Sequence, residues 1–173
     1  KISIIGCGLI GSSILRATQE KKLATKISIY DKSNKVIEYL KKNFTADICS
    51  DVSETTKDAD LTIISAPLSS YKEILLSIKS TLKEGSILTD TGSAKKEVNK
   101  IVNNLSLKNI SWIASHPIAG TEYSGPAAGF SNLFKNRWCI LSADNQVAKD
   151  KIENLEKFWS KLGSKVKIMS FED

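Results

Sequence analysis

The sequence predicts an α/β fold in which a doubly wound, mainly parallel sheet carries helices on both faces. Short apolar runs alternate with amphipathic helical segments along the whole chain, and the connections between them are short. The first of these connections is also rich in glycine. A length of 173 residues is that of one ordinary domain, so we assign residues 1–173 to a single domain.

Composition favours a soluble globular protein and argues against two kinds of partner. Hydrophobic residues make up 41% of the chain and charged residues 25%. No apolar run approaches the roughly 18 residues of a membrane helix. The net charge of +6 comes mainly from lysines that are spread along helical faces with few aromatic residues among them, unlike a nucleic-acid surface. We therefore expect neither a membrane nor a nucleic acid as partner.

The three cysteines, Cys7, Cys49 and Cys139, lie in or beside apolar runs. An odd number of cysteines without a Cys-x-x-Cys pattern predicts buried free thiols in a reducing cytoplasm. No cluster of cysteine and histidine indicates a metal site, so we expect no metal.

A glycine-rich turn follows the first predicted strand, residues 1–6, and leads into a helix. Its sequence is Gly6-Cys7-Gly8-Leu9-Ile10-Gly11, and the second predicted strand, residues 26–31, ends on Asp31. A turn of this pattern between strand and helix, followed by an acid at the end of the next strand, is typical of a Rossmann-like dinucleotide site.

Each part of this pattern has a physical role in binding a dinucleotide. Gly6 permits the tight turn, Gly8 lets the backbone approach a pyrophosphate, and Gly11 allows helix and strand to pack closely. Asp31 would accept hydrogen bonds from ribose hydroxyls and repel a 2′-phosphate, which favours NAD, although the neighbouring Lys32 leaves NADP open. We assign these residues and the ends of later strands to the cofactor site: Gly6, Gly8, Leu9, Ile10, Gly11, Asp31, Ser65, Ala66, Pro67, Thr91 and Gly92.

The alternation of strand and helix continues to the end of the chain. Further strands are predicted at residues 46–49, 61–66, 86–90, 110–114, 137–142 and 165–169, with amphipathic helices between most of them. In the last helix we expect Phe158 and Trp159 to belong to the core.

His116 is the single histidine of the chain, and it closely follows the strand at residues 110–114. Pro117 disfavours a helical backbone at His116, so the imidazole is presented from an extended strand exit. Ser93 lies where another strand runs into a helix, and we expect it to be the N-cap of that helix with its hydroxyl facing a ligand. Both residues fall on the edge that carries the glycine turn, so we expect all three around one crevice.

A histidine that titrates near neutrality suits the base that takes a proton from an alcohol while hydride leaves the same carbon. A Ser–His hydrolase is the alternative interpretation of Ser93 and His116. The sequence has no Gly-x-Ser-x-Gly elbow and no evident acid to orient the histidine, which disfavours that alternative.

Three stretches together resemble the prephenate/arogenate dehydrogenase family of tyrosine biosynthesis. They are the turn Gly6 to Ser13, the pattern Asp90-x-x-Ser93-x-Lys95, and His116-Pro117-Ile118-Ala119-Gly120-Thr121-Glu122-x-Ser124-Gly125. The resemblance is closest to the bacterial cyclohexadienyl dehydrogenases, which share the sequence patterns of residues 125–130 and 137–141. It implies an oxidative decarboxylation: hydride passes from the ring alcohol carbon of prephenate or arogenate to NAD, or to NADP, and CO2 is lost.

The resemblance also implies roles for single residues. His116 would be the catalytic base for the ring hydroxyl, and Ser93 would position that hydroxyl and the nicotinamide. Gly120 and Thr121 would contact the substrate, and Glu122 would join an ionic gate at the mouth of the site.

The chain departs from the family pattern in what it lacks. The resemblance implies a helical domain beyond residue 173 that completes the substrate pocket, supplies an arginine for a substrate carboxylate and forms a homodimer. Arg16 and Arg137 are the two arginines present, and neither falls where that arginine belongs. We therefore expect this chain to hold nucleotide with little turnover. Two alternatives remain open: another Rossmann dehydrogenase of the β-hydroxyacid type, and a non-catalytic NAD-sensing module.

Overall fold

The computed structural model describes residues 1–171, so Glu172 and Asp173, the end of the predicted domain, lie outside the described residues. The strands are β1 (Ile2–Ile5), β2 (Ile27–Tyr30), β3 (Asp47–Ile48), β4 (Leu61–Ile64), β5 (Ile87–Asp90), β6 (Ser111–Pro117), β7 (Trp138–Ala143) and β8 (Lys165–Ile168). The helices are α1 (Leu9–Glu20), α2 (Asn34–Asn43), α3 (Val52–Thr56), α4 (Tyr71–Ile78), α5 (Lys95–Leu105) and α6 (Lys149–Leu162), with short 3-10 turns at Leu68–Ser70 and Pro126–Ala128.

The eight strands form one sheet in the order β3-β2-β1-β4-β5-β6-β7-β8. Neighbouring strands are parallel except for β6 and β7, which pair antiparallel. This confirms the predicted Rossmann-like, mainly parallel sheet. The strand order reverses between β1 and β4, and open α/β sheets bind ligands at such a point, outside the carboxyl ends of the strands.

Helices cover both faces of the sheet because side chains alternate between the faces along each strand. Ile4 and Ile63 are in register and belong to one apolar cluster, which also contains Ile14 of α1 and Trp159 of α6. The next residues along those strands face a second cluster, to which Leu75 of α4 and Val98 of α5 belong. Both layers of the predicted core are thus present.

Two buried aromatic residues confirm a prediction made from sequence. Phe158 and Trp159 are both buried, and Trp159 is fully enclosed. The indole Nε1 of Trp159 donates to Ser115 Oγ at 3.0 Å, which ties α6 to β6. In the part of the chain that the structure describes, no helix combines the length and apolar character needed to span a membrane.

Three local predictions were wrong. The N-cap of α5 is Ala94 and not Ser93, and no side chain caps the first turn of α5. Cys7 and Cys139 are buried as predicted, whereas Cys49 is only partly buried because it follows the two-residue edge strand β3. The strand that carries His116 extends to Pro117, because its second half pairs with β7.

Candidate active site

A cavity of about 530 Å³ opens at the switch point of the sheet, beside the glycine turn. The turn between β1 and α1 and the ends of β2, β4 and β5 form part of its wall. The lining residues that the sequence assigned to a cofactor are Gly6, Gly8, Leu9, Ile10, Asp31, Ser65, Ala66, Pro67, Thr91 and Gly92. The structure therefore brings ten of the eleven predicted cofactor residues to one cavity; the eleventh, Gly11, does not line it.

The three glycines of the turn have distinct surroundings. Gly6 has a φ of +87°, and a Cβ there would lie 2.6 Å from the carbonyl oxygen of Ser65. A Cβ on Gly11 would lie 2.1 Å from the carbonyl oxygen of Gly6, so strand and helix are packed with no room for a side chain. A Cβ on Gly8 would meet nothing within 4 Å. Gly8 thus leaves open the space that a ligand would enter.

The start of α1 has the donors that a phosphate group needs. Gly8 is its N-cap, no side chain caps the helix, and the first turn contains no acidic residue. The backbone N–H groups of a first turn have no partner within the helix, and the helix dipole favours negative charge there. These features fit a pyrophosphate against the turn.

Asp31 is held by the backbone on both sides of its carboxylate. Oδ2 accepts from the N–H of Cys7 at 2.8 Å, and Oδ1 accepts from the N–H of Ser33 at 2.9 Å. A carboxylate offers about four acceptor positions, so each oxygen keeps capacity for a further donor. Lys32 lines the same cavity beside Asp31. The carboxylate is therefore fixed at the wall of the cavity.

Several residues that line this cavity were not predicted. Among them are Val52 of α3, Ser70 directly before α4, and Glu73, Ile74 and Ser77 within α4. Ser124 and Gly125, from the loop after His116, also line the cavity. The helix residues carried no signal, because the apolar pattern of α4 predicts only its buried face.

Ser93 and His116 line a second cavity of about 470 Å³, together with Lys95 and residues of β7. The prediction of one crevice for the glycine turn, Ser93 and His116 is therefore corrected to two cavities. The chain between β5 and α5 divides them, since Thr91 and Gly92 line the first and Ser93 lines the second.

His116 is half-buried and is the next-to-last residue of β6, where it pairs with Ile140 of β7. Burial is the main cause that lowers its pKa below the ordinary histidine value, and the positive charge of Lys95 lowers that pKa further. The carboxylate of Asp90 acts in the opposite direction. The imidazole of His116 is thus mainly neutral at pH 7, the form that can accept a proton.

The carboxylate of Asp90 is fully buried and bonded on both oxygens. Oδ1 accepts from Lys95 Nζ at 2.6 Å and from the N–H of Ser115 at 3.2 Å. Oδ2 accepts from the N–H of Gly92 at 3.1 Å and from the hydroxyl of Tyr71 at 3.2 Å. Burial raises the pKa of Asp90 and lowers the pKa of Lys95, while their mutual attraction opposes both shifts.

Lys95, which the sequence analysis named only as part of the Asp90-x-x-Ser93-x-Lys95 pattern, also belongs to the site near His116. Its side chain is only 14% exposed, lines the cavity of Ser93 and His116, and places a positive charge beside the imidazole. The available signal was its position as the first residue of α5, because the helix dipole disfavours a cation there unless another group stabilises it. Asp90 is that group.

The loop after His116 contributes unequally to the site. Gly120 lines a shallow third cavity with His116 and Arg137. Thr121 and Glu122 are exposed and line none of the three cavities. The hydroxyl of Thr121 accepts from the N–H of Tyr123 at 3.2 Å, which is a local turn contact. The structure does not bring these two predicted substrate residues to His116.

The parallel sheet, the glycine turn at its switch point and the open first turn of α1 define a nucleotide-binding domain of the Rossmann type. Residues 14–168 match the family model described as "Prephenate dehydrogenase, nucleotide-binding domain". The chain therefore belongs to the prephenate dehydrogenase family, which confirms the resemblance seen in its motifs.

Two curated relatives are similar over most of this chain. The cyclohexadienyl dehydrogenase of Zymomonas mobilis is 35% identical over 172 residues, which are 99% of this chain and 58% of that protein. A prephenate dehydrogenase of Lactococcus lactis is 34% identical over 158 residues, 90% of this chain and 44% of that protein. The chain thus spans roughly half the length of these relatives.

Solved structures share the fold of this chain. A crystal structure of prephenate dehydrogenase from Aquifex aeolicus, in complex with hydroxyphenyl propionate and NAD+, superposes with a TM-score of 0.86 at 26% identity. The match covers 99% of this chain and 60% of that one. Synechocystis arogenate dehydrogenase, at 21% identity, has a TM-score of 0.86 over 98% of this chain and 59% of its own, which shows the shared fold.

Proposed function

We propose that the protein containing this chain oxidatively decarboxylates prephenate, arogenate or both in tyrosine biosynthesis, with NAD+ as cofactor and NADP+ as the second candidate. The single observation that carries the proposal is His116, half-buried and with a lowered pKa, at the sheet edge that also carries the glycine-turn cavity. Family membership and the NAD+ complex of the Aquifex aeolicus neighbour support it.

The predicted cofactor residues would contact different parts of the dinucleotide. Leu9, Ile10 and the backbone at Gly8 would hold the pyrophosphate at the start of α1, because the N–H groups there lack partners within the helix. Asp31 would accept from the ribose hydroxyls. Its negative charge disfavours a 2′-phosphate, which is why NAD+ is the first choice. Bound NAD+ would supply the acceptor for hydride.

The residues around His116 would handle the proton. As hydride leaves the ring carbon that carries the hydroxyl, the neutral imidazole takes the hydroxyl proton, and the carbon becomes a carbonyl. Loss of the ring carboxylate as CO2 then leaves its electron pair in the ring, which becomes an aromatic phenolate, and the protonated imidazole returns its proton to the oxygen to give the phenol. No Schiff base is needed, because the ring itself accepts the electrons.

Other residues would position the substrate. Ser93 lines the same cavity as His116, and its hydroxyl would orient the ring hydroxyl. We assign Gly120 to the substrate side of His116, and Thr121 and Glu122 to the mouth of the site, where their exposed loop would approach a bound substrate.

We further propose that a helical domain completes the substrate pocket and forms a homodimer in the cytoplasm. The greater length of the relatives supports a further domain, since this chain spans 58% of the cyclohexadienyl dehydrogenase. Burial raises the pKa of the Cys7 and Cys139 thiols to about 12 each, and such unreactive free thiols suit a reducing compartment.

The test is the formation of reduced nicotinamide, followed by absorbance, in the full-length protein. NAD+ or NADP+ is combined with prephenate or arogenate, for the native protein and for His116→Asn. We expect turnover with at least one pair and a loss of about a hundredfold or more in the variant. The control is Lys108→Ala, which should leave the rate unchanged. Lys108 is exposed and lies in the loop before β6, at the end of the strand opposite to His116. No turnover with any pair, while NAD+ binds, would refute the proposal.

A further inference from the structure

Arg16 connects helix α1, which starts at the glycine turn, to a distant loop. Its Nε donates to the carbonyl oxygen of Gly129 at 2.8 Å, and its Nη2 donates to the carbonyl oxygen of Pro126 at 3.1 Å. These partners are 113 and 110 residues away in sequence. A planar guanidinium can serve two acceptors at once in a fixed geometry. One side chain thus holds both ends of the 3-10 turn Pro126–Ala128.

The guanidinium of Arg16 is itself held by α2. Its Nη2 also lies 3.2 Å from the hydroxyl oxygen of Tyr39, to which it donates. Its central carbon lies 4.6 Å from the centre of the Phe44 ring, which is a cation–π contact. Arg16 belongs to α1, and its guanidinium is held by Tyr39 and Phe44. The relative positions of α1 and α2 therefore fix the position of the loop to which Arg16 donates.

Two further contacts press the same loop against α1. Ser13 Oγ accepts from the backbone N–H of Phe130 at 3.1 Å. A Cβ on Gly129 would lie 2.1 Å from Ser12 Oγ, so the loop backbone approaches the helix too closely for any side chain there. Arg16, Ser13 and Gly129 therefore form one contact between helix and loop, which we call the α1–loop clamp.

The clamped loop reaches the nucleotide cavity. Ser124 and Gly125, directly before the 3-10 turn, line that cavity together with Gly8, Leu9 and Ile10. The same loop begins just after His116. Arg16 does not line the cavity, so any effect it has on a ligand must act through the loop.

We propose that Arg16 is a positioning residue that couples nucleotide binding to the loop of residues 118–130. This inference deepens the proposed function, because it takes the nucleotide cavity as its starting point. The clamp holds Ser124 and Gly125 as a wall of the cavity. By linkage, a nucleotide that contacts this wall stabilises the ordered loop by the same factor by which the ordered loop strengthens nucleotide binding, so loss of the clamp weakens that binding.

The test combines two measurements on the full-length protein and on Arg16→Ala. Hydrogen–deuterium exchange of the peptide that covers residues 118–130 is followed with and without NAD+, and the Kd of NAD+ is measured by titration. We expect exchange of this peptide to become faster in the variant, and the Kd to rise on the order of tenfold. In the native protein NAD+ should slow exchange of the peptide, and in the variant it should slow it much less.

Two other variants keep the result interpretable. Ser13→Ala removes the bond from the N–H of Phe130, together with the bond that Ser13 Oγ donates to the carbonyl oxygen of Leu9 within α1, and leaves the bonds of Arg16 in place. It should shift exchange and Kd in the same direction by a smaller factor. Lys42→Ala, an exposed basic residue of α2, should change neither. Unchanged exchange of the loop peptide in both clamp variants would overturn the clamp. Faster exchange with an unchanged Kd would overturn the coupling, because Arg16 would then act on the loop alone.

Failure of the proposed function would look different. A native protein that binds NAD+ but turns over neither prephenate nor arogenate would refute the reaction, and the exchange and titration results would still decide the clamp. A native protein that binds no NAD+ would overturn the coupling as well, whatever the loop peptide does.

Discussion

At the scale of single residues, the protonation of His116 decides when the proposed base can act. Burial first, and the charge of Lys95 second, lower the pKa of His116, with Asp90 opposing them. A base with a lowered pKa stays neutral to lower pH than an ordinary histidine, whose pKa is about 6.5. We therefore expect kcat/KM of the full-length enzyme to fall on the acid side with a midpoint below pH 6.5, as measured in a pH profile.

The matched control for this profile is His116→Asn, in which no imidazole titrates. Its residual rate should lack the acid-side fall assigned to His116. A midpoint clearly above pH 6.5 in the native enzyme would mean that the surroundings favour the charged imidazole, and it would contradict the arrangement of His116 and Lys95.

Sequence reasoning identified residues whose role depends on neighbours along the chain. The glycines, Asp31 and His116 belong to local patterns of strand, turn and helix, so their positions could be predicted. Arg16 and Lys95 could not be assigned in this way. The loop partners of Arg16, Pro126 and Gly129, lie more than a hundred residues away in sequence. Lys95 bonds a carboxylate whose burial depends on the packing of β5 between β4 and β6.

At the scale of elements, two glycines of the segment between β1 and α1 should respond differently to substitution. Gly11 is needed for close packing, whereas Gly8 borders the cavity. Gly11→Ala would place a Cβ 2.1 Å from the backbone oxygen of Gly6, which can move only with the turn. We expect a loss of about 1–3 kcal/mol in the free energy of unfolding, the usual cost of overpacking. Urea denaturation of the two chains measures this difference.

Gly8→Ala has the opposite expected effect. Its Cβ meets nothing within 4 Å, so the unfolding midpoint should stay near the native value. The methyl group would instead occupy the side of the turn that faces the cavity, and NAD+ affinity should fall by about tenfold or more, as one tight contact of roughly 1.4 kcal/mol implies. If Gly8→Ala binds NAD+ as the native chain does, the pyrophosphate does not lie against this turn.

Element boundaries show where sequence patterns reach their limit. The strands were predicted to within a few residues because their buried apolar runs are short and bounded by polar residues. Helix α3 was missed, since five residues cannot show a helical period; its start is marked by Asp51, whose side chain accepts from the N–H of Ser53. Ser93 was misplaced by one residue, because Ala94 takes the N-cap position while the chain bends around Asp90.

At the scale of the whole molecule, the Asp90 carboxylate joins four elements around one buried charge. It ends β5 and accepts from Ser115 of β6, Tyr71 of α4 and Lys95 of α5. The bond between Thr89 and Ser115, at 2.6 Å, and that between Trp159 and Ser115 extend the network to α6. The network therefore connects helices on both faces of the sheet, and its member Ser115 directly precedes the proposed catalytic histidine in β6.

Lys95→Met tests how strongly this charge is compensated. Removing one partner of a buried pair leaves the other charge uncompensated, and the free energy of unfolding should fall by about 3–5 kcal/mol. The double variant Asp90→Asn with Lys95→Met removes both charges, and it should be more stable than Lys95→Met alone at pH 7. Urea denaturation of the native chain, both single variants and the double variant gives the coupling between the two residues.

The pH dependence of the free energy of unfolding of the same four proteins shows whether Lys95 stabilises the fold by its charge or by its packing. Burial already raises the pKa of Asp90, and loss of Lys95, which lowers it, raises that pKa further. A carboxyl group whose pKa is higher in the folded state than in the unfolded one stabilises the fold at low pH, and this stabilisation is lost as the pH rises through the folded pKa. The deficit of Lys95→Met relative to the double variant should therefore shrink as the pH is lowered. A deficit that is constant with pH would mean that Lys95 contributes by packing and not by its charge.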